Sequence, residues 1–210
     1  MIKEFFEDKI YSNIGPFMNA IIAYLGADHA KELLEKTKKI KLILSKGNGV
    51  VKIGNDERYV EDEPICIKDE DVTYIILPFS IMGEVSGNVM FLHVLLHALS
   101  TDVLMEKHEE LNEVLIDYIA NEIGAILEKQ NINITIKSEP VYSSKSFYSY
   151  LFPVIEEFYE SDKKSLIESL FISGDYDVEK IEKVSNAVEI AFYDLLNKGN
   201  LLEKESKQKK

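Results

Sequence analysis

This chain has a single cysteine, Cys66. A disulfide framework and a cysteine-based zinc site are therefore both excluded. Cys66 stands between Ile65 and Ile67 and reads as a small strand residue, not a reactive thiol. Basic charge is also scarce: 24 Lys and Arg face 37 Asp and Glu, leaving a net charge of −13. A surface that grips a phosphate backbone needs a basic excess, so DNA and RNA are not expected partners. The acidity instead favours solubility. Long hydrophobic runs are missing too. The longest, Val89 to Leu99, holds two histidines and falls short of the ~20 residues that span a bilayer. The first residues, Met1 to Lys9, lack the basic start, apolar stretch and small-residue cleavage site of a secretory signal. These absences lead us to expect a soluble, cytoplasmic protein with no membrane partner. Gly47 and Gly49 do not have phosphate-loop spacing. The acidic runs 61–63 and 69–71 lack calcium-loop spacing and read as solvated turns.

What is present is an α+β pattern: helices, then a small sheet, then helices. Residues 2–25 read as helix, broken at Gly15-Pro16 because proline cannot donate to the preceding turn. Gly26 is the expected C-cap and Asp28 the expected N-cap of a helix from Ala30 to Lys38, with Leu33 and Leu34 on its apolar side. Strands are expected at 41–45 and 50–53, joined as a hairpin through Lys46-Gly47-Asn48-Gly49. Further strands are expected at 59–60, 65–67 and 73–78. A loop at 83–88, with Ser86 or Asn88 as cap, leads to a helix from Val89 to Leu104. That helix is apolar nearly all round, so it should be buried. A second long helix runs from Glu110 to Lys129, and residues 131–137 alternate like a short strand. Helices follow at 143–159, interrupted near Pro153, at 163–171 and at 177–198 with Asp177 as cap. The expected organisation is one part at 1–138, a helical part at 139–202 packed on it, and a flexible tail at 203–210.

The chemistry concentrates in two places. His93 and His97 are four apart in an apolar helix, so both rings leave one face and can grip one metal ion. Glu113 and Asp117 are likewise four apart on the next helix. If the helices pack side by side, two imidazoles and a carboxylate meet and leave a fourth position open. That is the arrangement of catalytic rather than structural zinc. Asp117 could accept the second ring N–H of a ligand histidine and fix its tautomer. A histidine buried without a partner is costly, which weighs against a purely structural role for the pair.

The run His93-Val94-Leu95-Leu96-His97, followed by Asn112-Glu113-Val114-Leu115-Ile116-Asp117, resembles the thermolysin-like gluzincin metallopeptidases, in a compact form. Their signature is His-Glu-x-x-His on one helix and Asn-Glu-x-x-x-Asp on the next. The resemblance covers residues 40–130. It implies a zincin-like fold: a small twisted sheet, an active-site helix, a third-ligand helix and, here, additional C-terminal helices. It implies zinc as cofactor, held by His93, His97 and Glu113, with Asp117 and Asn112 as outer partners.

Val94 stands where the family carries its general-base glutamate. Valine neither takes a proton from a metal-bound water nor delivers one to a leaving amine. Losing a positioned base costs ~10²–10⁴ in rate. The family's transition-state donor, His or Tyr, has only Tyr142, Tyr148 and Tyr150 as candidates. The expectation is a metallopeptidase-like pseudoenzyme that binds a peptide or protein segment without cleaving it. Two alternatives stand beside it. One is a metal-dependent hydrolase with a relocated base (Glu84, Glu109, Glu110 or Glu122). The other is a metal-free interaction protein using the aromatic-rich helices of residues 143–198. Aromatics at helical spacing are more often core.

Overall fold

The computed structural model describes residues 15–45, 49–53, 56–60, 64–69, 71–78, 85–101, 103–129 and 147–208. They form an α+β fold organised around its most apolar strand. Strand β1 (Ile40–Ser45), the ribbon β2 (Gly49–Ile53) and β3 (Asp56–Val60), β4 (Ile65–Asp69) and β5 (Val72–Pro78) follow helices α1 (residues 15–25) and α2 (Ala30–Lys38). β5 is central, with β1 parallel on one side and β4 antiparallel on the other. The period of two divides its side chains. Ile75 and Leu77 enter the main core under the helices, joined by Leu42, Leu44 and Cys66. Ile76 faces the other way and packs with Ile43, Ile65, Ile67, Val51 and Ile53. The β2–β3 ribbon covers that second face and leaves Val50 and Tyr59, a cross-strand pair, in solvent.

The expected hairpin between β1 and β2 is therefore wrong. β1 sends Leu42 and Leu44 to one core and Ile43 to the other, and lines up Leu42 with Ile75 and Leu44 with Leu77. β2 is apolar on one face only and pairs with β3 across residues 54 and 55. Gly54-Asn55 carries a turn signal of its own; the structure of those two residues lies outside the described stretches, as do residues 46–48.

Helix α3 (Val85–Leu99) lies against β4 and β5, and α5 (Glu109–Lys129) packs beside it. The continuous helix expected from Val89 to Leu104 is broken. The Ser100 N–H is shared between the carbonyls of Leu96 and His97, and its hydroxyl donates to His97 O at 2.9 Å. The Thr101 N–H then leaves the helical ladder and donates to Leu170 O at 2.7 Å. A short helix α4 (Val103–Lys107) follows, and the His108 N–H closes it on Leu104 O. Ser86 and Asn88 lie inside α3, not at its cap.

α6 (Phe152–Tyr159) starts with Pro153 in its first turn, where a missing N–H costs nothing. It is preceded by a 3₁₀ turn, Phe147–Leu151. α7 (Lys163–Glu168) runs into a wider turn, Ser169–Ser173, that ends on Gly174 at φ 71°. A side chain there would need left-handed backbone and would crowd Val103. α8 (Val178–Gln208) begins at the Asp177 cap, whose carboxylate accepts the Lys180 N–H at 3.1 Å. It continues helical through residues 203–208, where the sequence suggests a frayed tail. The main core draws on α1 (Phe17, Ile21), the sheet, α3, α5 and α6–α8 together, from Phe17 to Val188.

Near the start of the chain the 3₁₀ turn Ala27–His29 absorbs Asp28, and His29 takes the cap position of α2 without a side-chain bond. Gly26 ends α1 at φ 109°. Leu33 is fully buried but Leu34 is largely exposed, so the apolar side of α2 is one residue narrower than expected. The expected helix at 2–14, strand at 131–137 and helical residues 143–146 lie outside the described residues. Among the described residues no helix is long and apolar enough to cross a membrane.

Candidate metal centre

α3 and α5 bring the two sequence pairs face to face. His93 and His97 project from one side of α3, their ring centroids 4.5 Å apart. Their Nε2 atoms approach to 2.9 Å. Glu113 meets both: one carboxylate oxygen is 3.4 Å from His93 Nε2 and the other 3.2 Å from His97 Nε2. One ligand atom from each of the three lies within 4.8 Å of the others, a group that could hold a metal ion. Donors at about 2.0–2.1 Å from a tetrahedral zinc stand about 3.3 Å apart. The Nε2–Nε2 separation is shorter than that value, and each Nε2 has a different Glu113 oxygen close to it.

Behind the donors sits a second set of partners. Asp117 is buried, 2 % exposed, and its carboxylate is 2.6 Å from His93 Nδ1. With Nδ1–H donating to Asp117, the Nε2 lone pair of His93 points at the group's centre. Asn112 is equally buried. Its amide nitrogen is 3.5 Å from His97 Nδ1, while its Oδ1 has no partner. The two ends of an amide are assigned from their neighbours. Turned over, Oδ1 accepts the His97 Nδ1–H and frees Nε2 of that ring as well.

Burial alone would lower the pKa of His93, but hydrogen bonds and charge from Asp117 and Glu113 overcome it and raise the value to about 9. Burial would raise Glu113; hydrogen bonds to His93 and His97 instead hold it down at about 2. Two carboxylates facing two imidazoles demand positive charge, from a proton or from a metal ion.

The group opens on a cleft of about 710 Å³, within the range of ligand-binding clefts, about 300–1,000 Å³. Pro64, Ile65, Cys66 and Lys68 of the β4 region form one wall, His93, Val94 and His97 the floor, and Met105, Glu106, Asn112 and Glu113 the other wall. Val94 thus faces the same space as the donors, one residue from His93. Glu106, Met105 and Lys68 have no motif, and the sequence reading missed them. Only the break between α3 and α4 turns Met105 and Glu106 into the cleft.

The four acids proposed as relocated bases fare differently. Glu122 is engaged elsewhere, with Tyr24 and Lys163. Glu109 and Glu110 are exposed on the first turn of α5 and do not line the cleft. Glu84 lies outside the described residues. Of the three tyrosines, Tyr148 sits on the 3₁₀ turn against α5. Burial, helped by the charges of Glu113 and Asp117, pushes its hydroxyl pKa up. Tyr150 is exposed and Tyr142 lies outside the described residues. Of the aromatic-rich later helices, Tyr159 is buried and Tyr148, Phe152 and Phe158 pack on the core, while Tyr150 and Tyr193 are exposed.

Set against known proteins, the chain matches no family model, no curated protein and no solved structure. Fold and site together define an α+β protein with a candidate His-His-Glu metal-binding group.

Proposed function

We propose that this protein is a metallopeptidase-like pseudoenzyme, similar to the gluzincins. It holds zinc through His93, His97 and Glu113 and binds an extended peptide segment without cleaving it. The observation that carries this reading is the convergence of the three donors beside Val94, on the floor of an open cleft. The donor set suits zinc: two imidazoles and a carboxylate, with both histidines oriented from behind by Asp117 and Asn112. When bound, such an ion acidifies a coordinated water and polarises a carbonyl. His93 and His97 keep their Nε2 atoms forward, and Asp117 holds the proton on Nδ1 of His93. Val94 stands where a gluzincin carries its base and moves no proton. Such an ion would polarise a carbonyl brought into the cleft, and Val94 would supply no base for its hydrolysis.

β4 supports a peptide as the occupant. It is an edge strand, bonded to β5 on one side and to no described strand on the other. Its residues wall the cleft, and an outer strand of a sheet is where an extended chain adds through main-chain hydrogen bonds.

The test is elemental analysis of purified chain after chelation and re-supply of zinc, beside a His93→Ala/His97→Ala variant. About one zinc per chain, lost in the variant, supports the reading. No zinc uptake makes the histidines core residues of a metal-free interaction protein.

A further inference from the structure

The cleft above the His-His-Glu group is uneven in charge. Glu113 is turned inward to the two histidines, and Asp117 is buried behind His93. Lys68, the one Lys or Arg among the described lining residues, donates from its ammonium to Ser100 O at the end of α3. Glu106 stands apart from all of these. It is exposed on α4, lines the cleft wall opposite β4, and makes no hydrogen bond or ion pair with another described residue. Glu109 and Glu110, on the first turn of α5, are also exposed but do not line the cleft. The chain as a whole carries −13. Such a field draws in cationic ligands and repels anionic ones, and an unmatched carboxylate at the binding wall turns that general bias into a local one. Pro64, Ile65, Val94 and Met105 add apolar surface to a lining that also includes Ser100 and Asn112. They suit the aliphatic stem of a long side chain whose charged head reaches beyond them.

We infer that Glu106 determines specificity in this cleft, and that the extended peptide bound there carries a lysine or arginine on the side facing α4. This rests on the peptide-binding reading above. Glu106 is not a ligand or a proton carrier in it; its role is to select the partner by charge. A carboxylate left unpaired in the free protein costs little because it is hydrated. Pairing it with an exposed cation is worth a modest factor, about three- to fivefold in affinity. Reversing its sign replaces attraction by repulsion and doubles that span on a logarithmic scale.

The experiment uses the full chain loaded with zinc and three labelled peptides with blocked termini, identical except for lysine, leucine or glutamate at the central position. Binding is read by fluorescence anisotropy at low and high salt, and zinc per chain is measured on each sample. The expected order is lysine tightest and glutamate weakest, narrowing at high salt as screening shortens the reach of the charge. Glu106→Gln should abolish the preference and Glu106→Lys should invert it, both with zinc content unchanged. Equal binding of the three peptides by zinc-loaded protein overturns the inference and leaves the metal reading intact. A lysine preference that survives Glu106→Gln also overturns it, moving the selection to Glu109, Glu110 or net charge. A chain that takes up no zinc yet discriminates through Glu106 supports it and overturns the metal reading instead.

Discussion

α5 carries two polar clusters, one in each half, and they differ in how their charge is met. In the second half Glu122 receives Lys163 and the Tyr24 hydroxyl, with the ammonium 5.1 Å and 5.4 Å from the ring centroids of Tyr24 and Tyr118. A permanent cation faces a permanent anion under an aromatic cover, and nothing further is required. In the first half Glu113 and Asp117 face the imidazoles of His93 and His97, which are charged only when protonated. That cluster opens on a cleft. The Glu122 cluster is finished by its own residues; the Glu113–Asp117 cluster depends on what the solution supplies. An incomplete charge balance beside a cavity is the mark of a site, whereas a complete one is the mark of a fastening.

The sharpest way to break this comparison is to supply the missing base. In zinc-loaded protein, Val94→Glu is expected to raise peptide hydrolysis by ~10²–10⁴ over wild type. The check is a peptidase assay of both, and equal rates would overturn the role proposed for Val94.

The next effect is on stability. His93 is raised from 6.5 to about 9, so its contribution is complete below pH 6.5 and is lost as pH rises through about 9. Glu113 is lowered from 4.5 to about 2, so its contribution is present above pH 4.5 and is lost as pH falls through about 2. Metal-free protein should therefore be most stable between these limits, from about pH 4.5 to 6.5. It should lose roughly 2–3 kcal/mol towards pH 9, counting the coupled group once at about 1.4 kcal/mol per unit. Urea unfolding across pH measures this. A flat profile would mean that the cluster does not hold its proton as described.

Asp117→Asn keeps the shape and removes the charge behind His93. Zinc affinity should fall by about 10–100-fold, as for other outer partners of metal-bound histidine. Competition with a chelating dye reads the loss. Glu122→Gln is the paired control, and any comparable loss of zinc there would erase the distinction between the clusters. Smallest is Lys163→Met. Lys163 and Glu122 are each about a third exposed and solvent screens their attraction, so about 1 kcal/mol of stability should be lost with zinc uptake unchanged.

Much of the layout follows from local pattern. The bounds of α2, the existence of α5, the cap at Asp177 and the run of β5 come from periodicity and end signals that act within a few residues. So does the pairing of His93 with His97, and of Glu113 with Asp117, on single helix faces. Long-range choices were not legible. Pairing of β1 with β5 rather than β2 depends on which face each strand buries, and that is settled by α3 on one side and the β2–β3 ribbon on the other. The stop after Leu99 depends on Leu170 O capturing the Thr101 N–H from 69 residues away.

By itself, then, the sequence determined which residues share a helix face and that two such faces carry residue types that can ligate a metal, because a helix repeats every 3.6 residues whatever surrounds it. Only the tertiary structure decided that the faces meet, that Asp117 serves His93, and that Met105 and Glu106 reach the cleft. Those are distances between segments that no local repeat encodes; they are set by how the buried side chains of α3, α5 and the sheet fill one core.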